Sequence, residues 1–287
     1  MYQPTLSELG KVSFHDQHRR CLRSYNPRAC LAIGPVGCGH GGAQGLGRGI
    51  ARRLAEAGAN VLIGDVNAEV AARAAADLRG CSSGSVLATY MDVSDAASVA
   101  AAAQMAEAEF GGIDIWVNNA GVFPSVGLTE MSAEQWDKVF AVNTRGVFLG
   151  SREAVRAMIA RARGGVIVNV ASLAGLGGIA PGLAAYVSSK HAVVGITRQM
   201  ALECAPQRIR VLAVAPSYMV TEGNLALMQQ APQKAEQATK AIPSMFTSKL
   251  GRVGVPDDVA RAVLFCASDM SIFMTGTTLV VDAGESA

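Results

Sequence analysis

The sequence is poor in charged and aromatic residues, which make up 17% and 5% of its 287 residues. The net charge is only +2, and no stripe of lysine and arginine runs through the body of the chain, so charge gives no reason to expect a nucleic-acid partner. No apolar run approaches the roughly 20 residues that span a bilayer, and the N-terminus lacks the continuous apolar region of a signal peptide. We therefore expect neither a nucleic-acid nor a membrane partner.

Closely spaced cysteine pairs are also missing. The six cysteines contain no C-x-x-C pair, which favours reduced thiols in a cytosolic protein and hence a cytoplasmic location. The alternative is a metal site built from the first three cysteines and His40, but their spacing matches no familiar zinc pattern, so no metal is expected. The cysteines are Cys21, Cys30, Cys38, Cys81, Cys204 and Cys266.

Small and aliphatic residues dominate the composition, and half of the residues are hydrophobic. From Gly41 onward, short apolar runs alternate with helical patterns, which predicts βαβ units and a doubly wound parallel sheet flanked by helices on both faces. We interpret residues 41–287 as one domain. The predicted strands are Asn60–Gly64, Val86–Tyr90, Ile113–Val117, Val166–Val170, Arg210–Ala215 and Thr278–Val281. The predicted helices are Arg48–Gly58, Ala68–Leu78, Ala96–Phe110, Ala133–Ala162 (one long or broken helix), Tyr186–Cys204 and Pro256–Ala267.

A glycine-rich turn precedes the first predicted helix. Glycine is needed where the backbone turns tightly and approaches a pyrophosphate, and the helix N-terminus then supplies free N–H donors. Asp65 ends the next strand about 20 residues later, where a carboxylate binds ribose hydroxyls and repels a 2′-phosphate. The sequence thus predicts a Rossmann-like dinucleotide site that prefers NAD to NADP, with Asp92 near the adenine. The predicted cofactor contacts of this region are Gly41, Gln44, Gly45, Leu46, Gly47, Asp65, Asp92 and Val93.

Polar groups suited to proton transfer follow later strands. Tyr186 and Lys190 are four residues apart, so they share one face of a helix. Ser172 lies just past a strand end, where ligands of open α/β sheets bind. Asn143 falls within a long helical pattern, where asparagine is a poor choice, which indicates a kink or a functional role.

The pattern resembles the short-chain dehydrogenase/reductase family from about Gly41 to Ala287. The residues that carry the resemblance are the glycine turn, Asn118–Gly121, Asn143, Ser172, Tyr186, Lys190, Pro216, Thr221 and the ending Gly276–Gly284. The resemblance implies an oxidoreductase that transfers a hydride between NAD(H) and a secondary alcohol or ketone. It implies the catalytic residues Asn143, Ser172, Tyr186 and Lys190, and the further cofactor contacts Asn119, Ala120, Gly121, Tyr186, Lys190, Pro216 and Thr221.

Each catalytic residue has an expected role. Tyr186 is the general acid/base, and the Lys190 ammonium lowers the pKa of the phenol from its usual value near ~10. Lys190 also binds the nicotinamide ribose, and Ser172 hydrogen-bonds the reacting oxygen. By resemblance, Asn143 holds a water of a proton relay and Thr221 contacts the carboxamide.

The sequence departs from the family at three single positions and at the N-terminus. His40 replaces a threonine, while Ser217 and Ala283 replace glycines. We interpret residues 1–40 as an irregular segment, either an insertion or disordered, and Leu31–Gly39 is a poor first strand because glycine and proline interrupt it. Two alternatives stay open. The first strand begins near Ser7–Phe14 with His15–Gly39 inserted behind it, or the segment is frame-shifted or misassigned. A targeting peptide is disfavoured by acidic residues and the lack of an amphipathic helix.

The substrate is expected to be a small neutral molecule, because the predicted pocket is apolar to mildly polar. Its predicted walls are Phe123, Leu173–Gly178 and a mobile helical lid at Met219–Leu250. A homotetramer or homodimer through the two longest predicted helices is expected. One alternative is an NADPH-dependent 3-oxoacyl-thioester reductase, which Asp65 disfavours. The other is a catalytically impaired NAD-binding protein, which the poor first strand favours.

Overall fold

The computed structural model describes residues 43–221 and 249–287, and strands and helices alternate through both ranges. The strands are β1 (Val61–Asp65), β2 (Val86–Tyr90), β3 (Ile115–Asn118), β4 (Gly165–Val170), β5 (Ile209–Pro216) and β6 (Thr278–Val281). The helices are α1 (Gly45–Glu56), α2 (Ala68–Arg79), α3 (Ala96–Phe110), α4 (Ala133–Phe140), α5 (Gly146–Arg161), α6 (Ala184–Cys204) and α7 (Pro256–Ala267).

All strand pairs in these ranges are parallel. β1 pairs with β2, and β3, β4, β5 and β6 form a second sheet in that order. Residues of β1 and β3 belong to one hydrophobic cluster with α1 and α7, so the two sheets share a core although no ladder joins them within the described residues. This architecture confirms the predicted Rossmann-like α/β fold. Both proposals for a first strand lie outside the described residues.

Burial explains why the strands read as continuous apolar runs. All five residues of β1 and all four of β3 are buried, because helices cover both faces of the sheet. Alanines line the helix faces that meet the strands, among them Ala51, Ala55, Ala71, Ala74 and Ala75. Their small side chains let helix and sheet backbones approach closely. The core is therefore built from many small contacts, with Trp116 as its largest fully buried side chain.

Side chains at the helix starts fix several of the boundaries. The Asn67 side chain accepts a hydrogen bond from the backbone N–H of Val70, and Asp95 accepts one from Ala97. Ser132 and Gln135 form a reciprocal capping box at α4. Such caps satisfy N–H groups that have no partner inside the helix.

Several predicted boundaries differ from the observed ones by one to three residues. Helix α1 begins at Gly45 instead of Arg48, because the left-handed φ of +54° at Gly45 turns the chain directly into the helix. Strand β3 begins at Ile115 and extends to Asn118, two residues after the predicted start and one after the predicted end. The long pattern from Ala133 is broken by a π-helical turn, Ala141–Arg145, that separates α4 from α5. The broken form of that prediction is the correct one.

Candidate active site

The carboxyl ends of β3, β4 and β5 carry the predicted polar residues. Asn118 ends β3, Ser172 follows β4 after one residue, and Pro216 ends β5. Helix α6 begins at Ala184 and presents Tyr186 in its first turn. Because the strands are parallel, their ends meet at one edge of the sheet, and ligands of open α/β sheets bind at that edge.

Tyr186, Ser172 and Lys190 lie together at this edge. The Ser172 hydroxyl lies next to the Tyr186 phenol and acts to lower its pKa. The Lys190 Nζ lies 5.8 Å from the centroid of the Tyr186 ring and donates a 2.7 Å hydrogen bond to the backbone carbonyl of Val170. The ammonium group is thus held beside the phenol by the end of β4.

Burial moves the pKa of both groups. It raises the pKa of the Tyr186 phenol, while the Ser172 hydroxyl opposes that rise. It lowers the pKa of Lys190 to about 8, because a buried ammonium loses its hydration. In this arrangement the phenol of the ligand-free protein is protonated at neutral pH. A base role for Tyr186 therefore depends on added positive charge beside it.

Asn143 lies in the π-helical turn and is fully buried. Its Oδ1 accepts a 2.8 Å bond from the backbone N–H of Val122, and its Nδ2 donates to the Val122 carbonyl at 2.9 Å and to the Ser189 Oγ at 3.0 Å. π-turns inside helices are frequent at functional sites. Both N–H groups of the amide are used by protein partners, so they are not available to the water that the resemblance assigns to this residue.

The glycine turn and Asp65 are joined directly. The Asp65 Oδ2 accepts a 3.0 Å bond from the backbone N–H of Ala43, and Oδ1 accepts a 2.9 Å bond from Asn67. Asp65 is 1% exposed. The carboxylate thus lies against the start of the glycine turn, a contact that the sequence did not predict. Gly41 lies outside the described residues.

Several features of this site fit a dinucleotide. The Asn119 side chain is 2% exposed, and neither its oxygen nor its nitrogen has a hydrogen-bond partner within the described part of the chain. Such buried polar atoms are costly unless a ligand satisfies them. A Cβ on Gly121 would lie 3.5 Å from the Asn143 Oδ1 and 3.7 Å from the Lys190 Nζ, so this glycine leaves space beside the catalytic group. The α1 N-terminus has no side-chain cap.

The remaining predicted cofactor contacts lie around the same edge. The Asp92 Oδ1 accepts bonds from the backbone N–H and the hydroxyl of Ser94, which fixes the carboxylate after β2. The Thr221 side chain lies against Gly45, since a Cβ there would meet the Thr221 Cγ2 at 3.3 Å. The segment that follows β5 therefore reaches the glycine turn. The other predicted contacts placed here are Gln44, Leu46, Gly47, Val93, Ala120 and Pro216.

The sequence reasoning missed a buried polar network behind the site. The Asn118 Nδ2 donates to the Asn169 Oδ1 at 2.8 Å, and the Asn169 Nδ2 donates to the Thr197 Oγ1 at 2.9 Å. Ser189, also missed, bonds Asn143. One signal was present: Ser189 and Thr197 are polar residues on the core-facing side of a helix that also buries Val193 and Ala201.

The described residues contain neither a candidate membrane span nor a candidate metal cluster. No helix in residues 43–221 or 249–287 is both long and apolar enough to cross a membrane. Within the same ranges, no group of three or more histidine, cysteine, aspartate or glutamate side chains is placed to hold a metal ion. Cys81, Cys204 and Cys266 are free thiols, while the expected metal alternative near the N-terminus lies outside the described residues.

Comparison with known proteins identifies the family. A family model described as Enoyl-(Acyl carrier protein) reductase matches residues 41–286. The chain is 37% identical over 244 residues to the 3-oxoacyl-(acyl-carrier-protein) reductase FabG of Chlamydia muridarum (strain MoPn / Nigg), which covers 85% of this chain and 94% of that protein. It is 38% identical over 247 residues to the cyclopentanol dehydrogenase of Comamonas sp. (strain NCIMB 9872), with coverage of 86% and 95%.

The fold agrees with these sequence matches. The crystal structure of a short-chain type dehydrogenase/reductase from Mycobacterium marinum superimposes with a TM-score of 0.80 at 31% identity, covering 91% of this chain and 97% of that one. Sequence and structure thus lead to the same group, and the chain belongs to the short-chain dehydrogenase/reductase family.

Proposed function

We propose that this protein is an NAD-dependent oxidoreductase that interconverts a secondary alcohol and a ketone, with Tyr186 as the general acid/base. The observation that carries the proposal is the Tyr186 phenol next to the Ser172 hydroxyl, with the Lys190 ammonium beside its ring. A proton donor/acceptor, a group to hold the reacting oxygen and a fixed positive charge are what this reaction requires of a protein.

Tyr186, Ser172 and Lys190 have separate roles in the proposed proton transfer. A nicotinamide, when bound, accepts or supplies the hydride. In the oxidation direction Tyr186 takes the hydroxyl proton of the alcohol, and in the reduction direction it returns that proton to the oxygen. Ser172 hydrogen-bonds the same oxygen and holds it at the phenol. Burial raises the pKa of the phenol, and the positive charges of Lys190 and of a bound oxidised nicotinamide would together favour the tyrosinate against that effect.

NAD is the proposed cofactor. Asp65 is buried at the end of β1 and bonded to the backbone of the glycine turn, so its negative charge is fixed where the adenosine ribose is expected. A 2′-phosphate at that place would meet the carboxylate without a nearby basic partner in the next two residues, Val66 and Asn67. The proposed cofactor contacts are those predicted from the sequence, and among them the buried Asn119 amide has no hydrogen-bond partner within the described residues.

The proposed substrate is neutral and largely apolar next to its reacting carbon. The Phe123 ring lies 5.8 Å from the Tyr186 ring, at an interplanar angle of 57°. The loop after β3 is joined to the loop before α6 by a 2.9 Å bond from Val126 N to the Gly182 carbonyl. Residues 119–128 and 172–185 of these loops contain no charged side chain. The likeness to cyclopentanol dehydrogenase supports this substrate class.

A second candidate is the reduction of a 3-oxoacyl thioester. The 37% identity to the chlamydial 3-oxoacyl-(acyl-carrier-protein) reductase favours it, while Asp65 opposes its use of NADPH. The two candidates are separated by assaying cyclopentanol with NAD and a 3-oxoacyl thioester with NADPH. The first pair is expected to give the higher kcat/KM.

We also propose a cytoplasmic homotetramer or homodimer. The partly exposed apolar groups Phe148 and Ile196, on α5 and α6, border an open groove together with Phe140 and Ala141. Contact between two copies through this face would shield these groups. The free thiols of Cys81, Cys204 and Cys266 suit a reducing compartment.

The test is a fluorescence titration of the purified protein with NADH and NADPH, run beside its Tyr186→Phe variant. We expect NADH to bind more tightly than NADPH, and the variant to bind NADH like the parent protein. Turnover of a secondary alcohol is expected to fall by about 10³-fold or more in the variant, because no other group there can exchange the proton. Substantial turnover by Tyr186→Phe would refute the general acid/base role, and absent binding of both cofactors would refute the enzyme assignment.

A further inference from the structure

The hydroxyl of Ser189 connects the catalytic tyrosine to the asparagine of the π-turn. Ser189 is fully buried in α6. Its Oγ donates a 2.7 Å bond to the backbone carbonyl of Tyr186 and accepts a 3.0 Å bond from the Asn143 Nδ2. This hydroxyl therefore pairs both the Asn143 amide, which donates to it, and the Tyr186 carbonyl, which accepts from it.

These contacts continue into a closed ring around the tyrosine. Asn143 binds the backbone N–H and carbonyl of Val122. Val122 is followed by Phe123, whose ring contacts the Tyr186 ring. The path thus starts at the Tyr186 carbonyl, runs through Ser189, Asn143 and Val122, and returns to the Tyr186 side chain through Phe123.

We infer that Ser189 is a positioning residue, whose hydroxyl closes this ring of contacts and so fixes the Tyr186 phenol relative to Lys190 and Ser172. The inference rests on the proposed function. A hydroxyl that bonds the carbonyl three residues earlier in a helix also sets the local geometry of that turn. Here the turn carries Tyr186 at one end and Lys190 at the other.

The functional consequence follows from distance. The Lys190 Nζ lies 5.8 Å from the Tyr186 ring centroid, and the electrostatic support for a tyrosinate weakens as that separation grows or fluctuates. Without the Ser189 hydroxyl, Tyr186 loses its link to the π-turn, although its contact with Phe123 persists. The phenol is then less well placed for proton transfer, while the contacts expected at the glycine turn and at Asp65 are unchanged.

The test compares Ser189→Ala with Ser188→Ala. Ser188 is the neighbouring, half-buried serine of the same helix turn, so both variants make the same chemical change in the same helix. We expect Ser189→Ala to lower kcat about tenfold, to keep the NADH Kd within about twofold, and to move the pH at which kcat is half-maximal upward by about half a unit or more. Ser188→Ala is expected to match the parent protein in all three.

A double variant tests the route of the effect. If Ser189 acts through Asn143, adding Ser189→Ala to Asn143→Ala lowers kcat by much less than tenfold, because the link is already absent. Full additivity of the two effects would overturn the inference. So would a Ser189→Ala protein that is less stable but has the parental kcat and pH profile, since that result describes a structural role alone.

A spectroscopic measurement separates this inference from the proposed function. The titration of Tyr186 is followed through tyrosinate absorbance, as the difference between each protein and its Tyr186→Phe counterpart. We expect the Ser189→Ala protein to titrate at higher pH than the parent, whether or not any alcohol is turned over. Absent turnover by the parent protein would refute the proposed function, whereas an unchanged tyrosinate titration would refute the role of Ser189.

Discussion

At the scale of single residues, Ala283 has an unusual backbone conformation that bears on stability. Ala162, Arg208 and Ala283 have positive φ, and they are the non-glycine residues with this conformation in the described ranges. Ala283, with φ of 51°, stands where the family resemblance expects glycine. Its carbonyl accepts a hydrogen bond from Lys249 N, which holds the turn after β6 in place. The substitution of alanine therefore places a Cβ in a left-handed turn, at a cost in strain.

Ala283→Gly is expected to stabilise the protein. Relief of left-handed strain is worth about 1–2 kcal/mol, partly offset by the larger backbone entropy of glycine in the unfolded chain, which leaves about 0.5–1 kcal/mol. Urea denaturation measures the free energy of unfolding. The control is Ala72→Gly on the exposed face of α2, which is expected to destabilise by about 1 kcal/mol. A loss of stability in Ala283→Gly would contradict the strain assigned to this turn.

Lys190 is expected to make stability depend on alkaline pH. Burial lowers its pKa from 10.5 to about 8, so between these values the unfolded chain binds more protons than the folded one. The free energy of unfolding contributed by this group therefore rises as pH rises through that window. Between about pH 7 and about pH 9.5, the free energy of unfolding is expected to rise by about 1–2 kcal/mol more in the parent protein than in the Lys190→Met variant.

Denaturation of the ligand-free proteins at both pH values checks this difference. Tyr186 is present in both proteins, and burial raises the pKa of its phenol away from neutral pH. Lys249 lies on the surface after the undescribed range, so Lys249→Met serves as the control and is expected to keep the parental pH dependence. Equal pH dependence in the parent and Lys190→Met would show that Lys190 is hydrated in the folded protein.

At the scale of elements, the buried polar network attaches α6 to the sheet. Asn118 at the end of β3 also binds the Ser151 hydroxyl of α5 at 2.9 Å and accepts a 2.8 Å bond from the Trp116 Nε1. Asn169 of β4 carries the network on to Thr197 of α6. These side chains are buried and bonded to one another, which makes the network specific but sensitive to the loss of a single member.

Thr197→Val is expected to destabilise the protein by about 1–3 kcal/mol. Valine has nearly the same shape, but it leaves the Asn169 Nδ2 without its acceptor in a buried place. Thermal or urea denaturation measures the loss. Thr89→Val in β2 makes the same chemical change at a half-buried site with only a 3.4 Å bond, and it is expected to stay within about 0.5 kcal/mol of the parent. Equal stability of the two variants would contradict the importance of the network.

Element boundaries were predictable where a cap or a glycine marks them. The Asn67 and Asp95 caps agree with the predicted starts of α2 and α3 at Ala68 and Ala96. The π-turn was not predictable in detail, because its cause is tertiary: Asn143 turns inward to bind Val122 and Ser189. The sequence indicated only that asparagine was unusual there. The network through Asn169 and Thr197 likewise depends on which strands and helices become neighbours.

At the scale of the whole molecule, α1 and α7 join the two described ranges of the chain. The backbone of α1 approaches α7 closely at Gly49, where a Cβ would meet the Pro256 Cβ at 3.1 Å. The guanidinium of Arg53 donates two hydrogen bonds to the Asp257 carboxylate, which also accepts a 2.8 Å bond from Arg261. These ion pairs lower the pKa of Asp257 to about 2.

Asp257→Asn is expected to destabilise the protein modestly and in a pH-dependent way. The folded pKa of about 2 lies below the ordinary 3.8, so the stabilisation is present above about pH 4 and is lost as pH falls towards 2. Because the carboxylate is 37% exposed, solvent screening limits the cost near neutral pH to about 0.5–1 kcal/mol. The control is Asp77→Asn, which removes the more exposed ion pair with Arg48. This variant is expected to lose less free energy of unfolding. A loss of stability in Asp257→Asn that stays constant from neutral pH to below pH 4 would argue against a stabilising ion pair.

The fold and the candidate site residues could be predicted from the sequence. The hydrogen bonds that connect those residues could not. Alternating apolar runs predicted the α/β fold, and Ser172, Tyr186 and Lys190 were selected by spacing and now lie together. The roles assigned to them stay predictions. The link from Asp65 to Ala43 joins residues 22 positions apart and depends on the turn folding back over β1, which spacing does not encode. The irregular N-terminal segment lies outside the described residues and its interpretation stays open.

The double attachment of Asp65 bears on coenzyme engineering. Replacing this carboxylate to admit a phosphorylated ribose would also release the backbone of Ala43 and Asn67, both of which it holds. A redesign that reverses the proposed NAD preference is consequently a two-part problem, in which a basic partner is introduced and the anchoring acceptor is rebuilt nearby. Single substitutions at this position would trade selectivity for a loosened pyrophosphate loop, so directed evolution of such a switch would have to pass through paired changes.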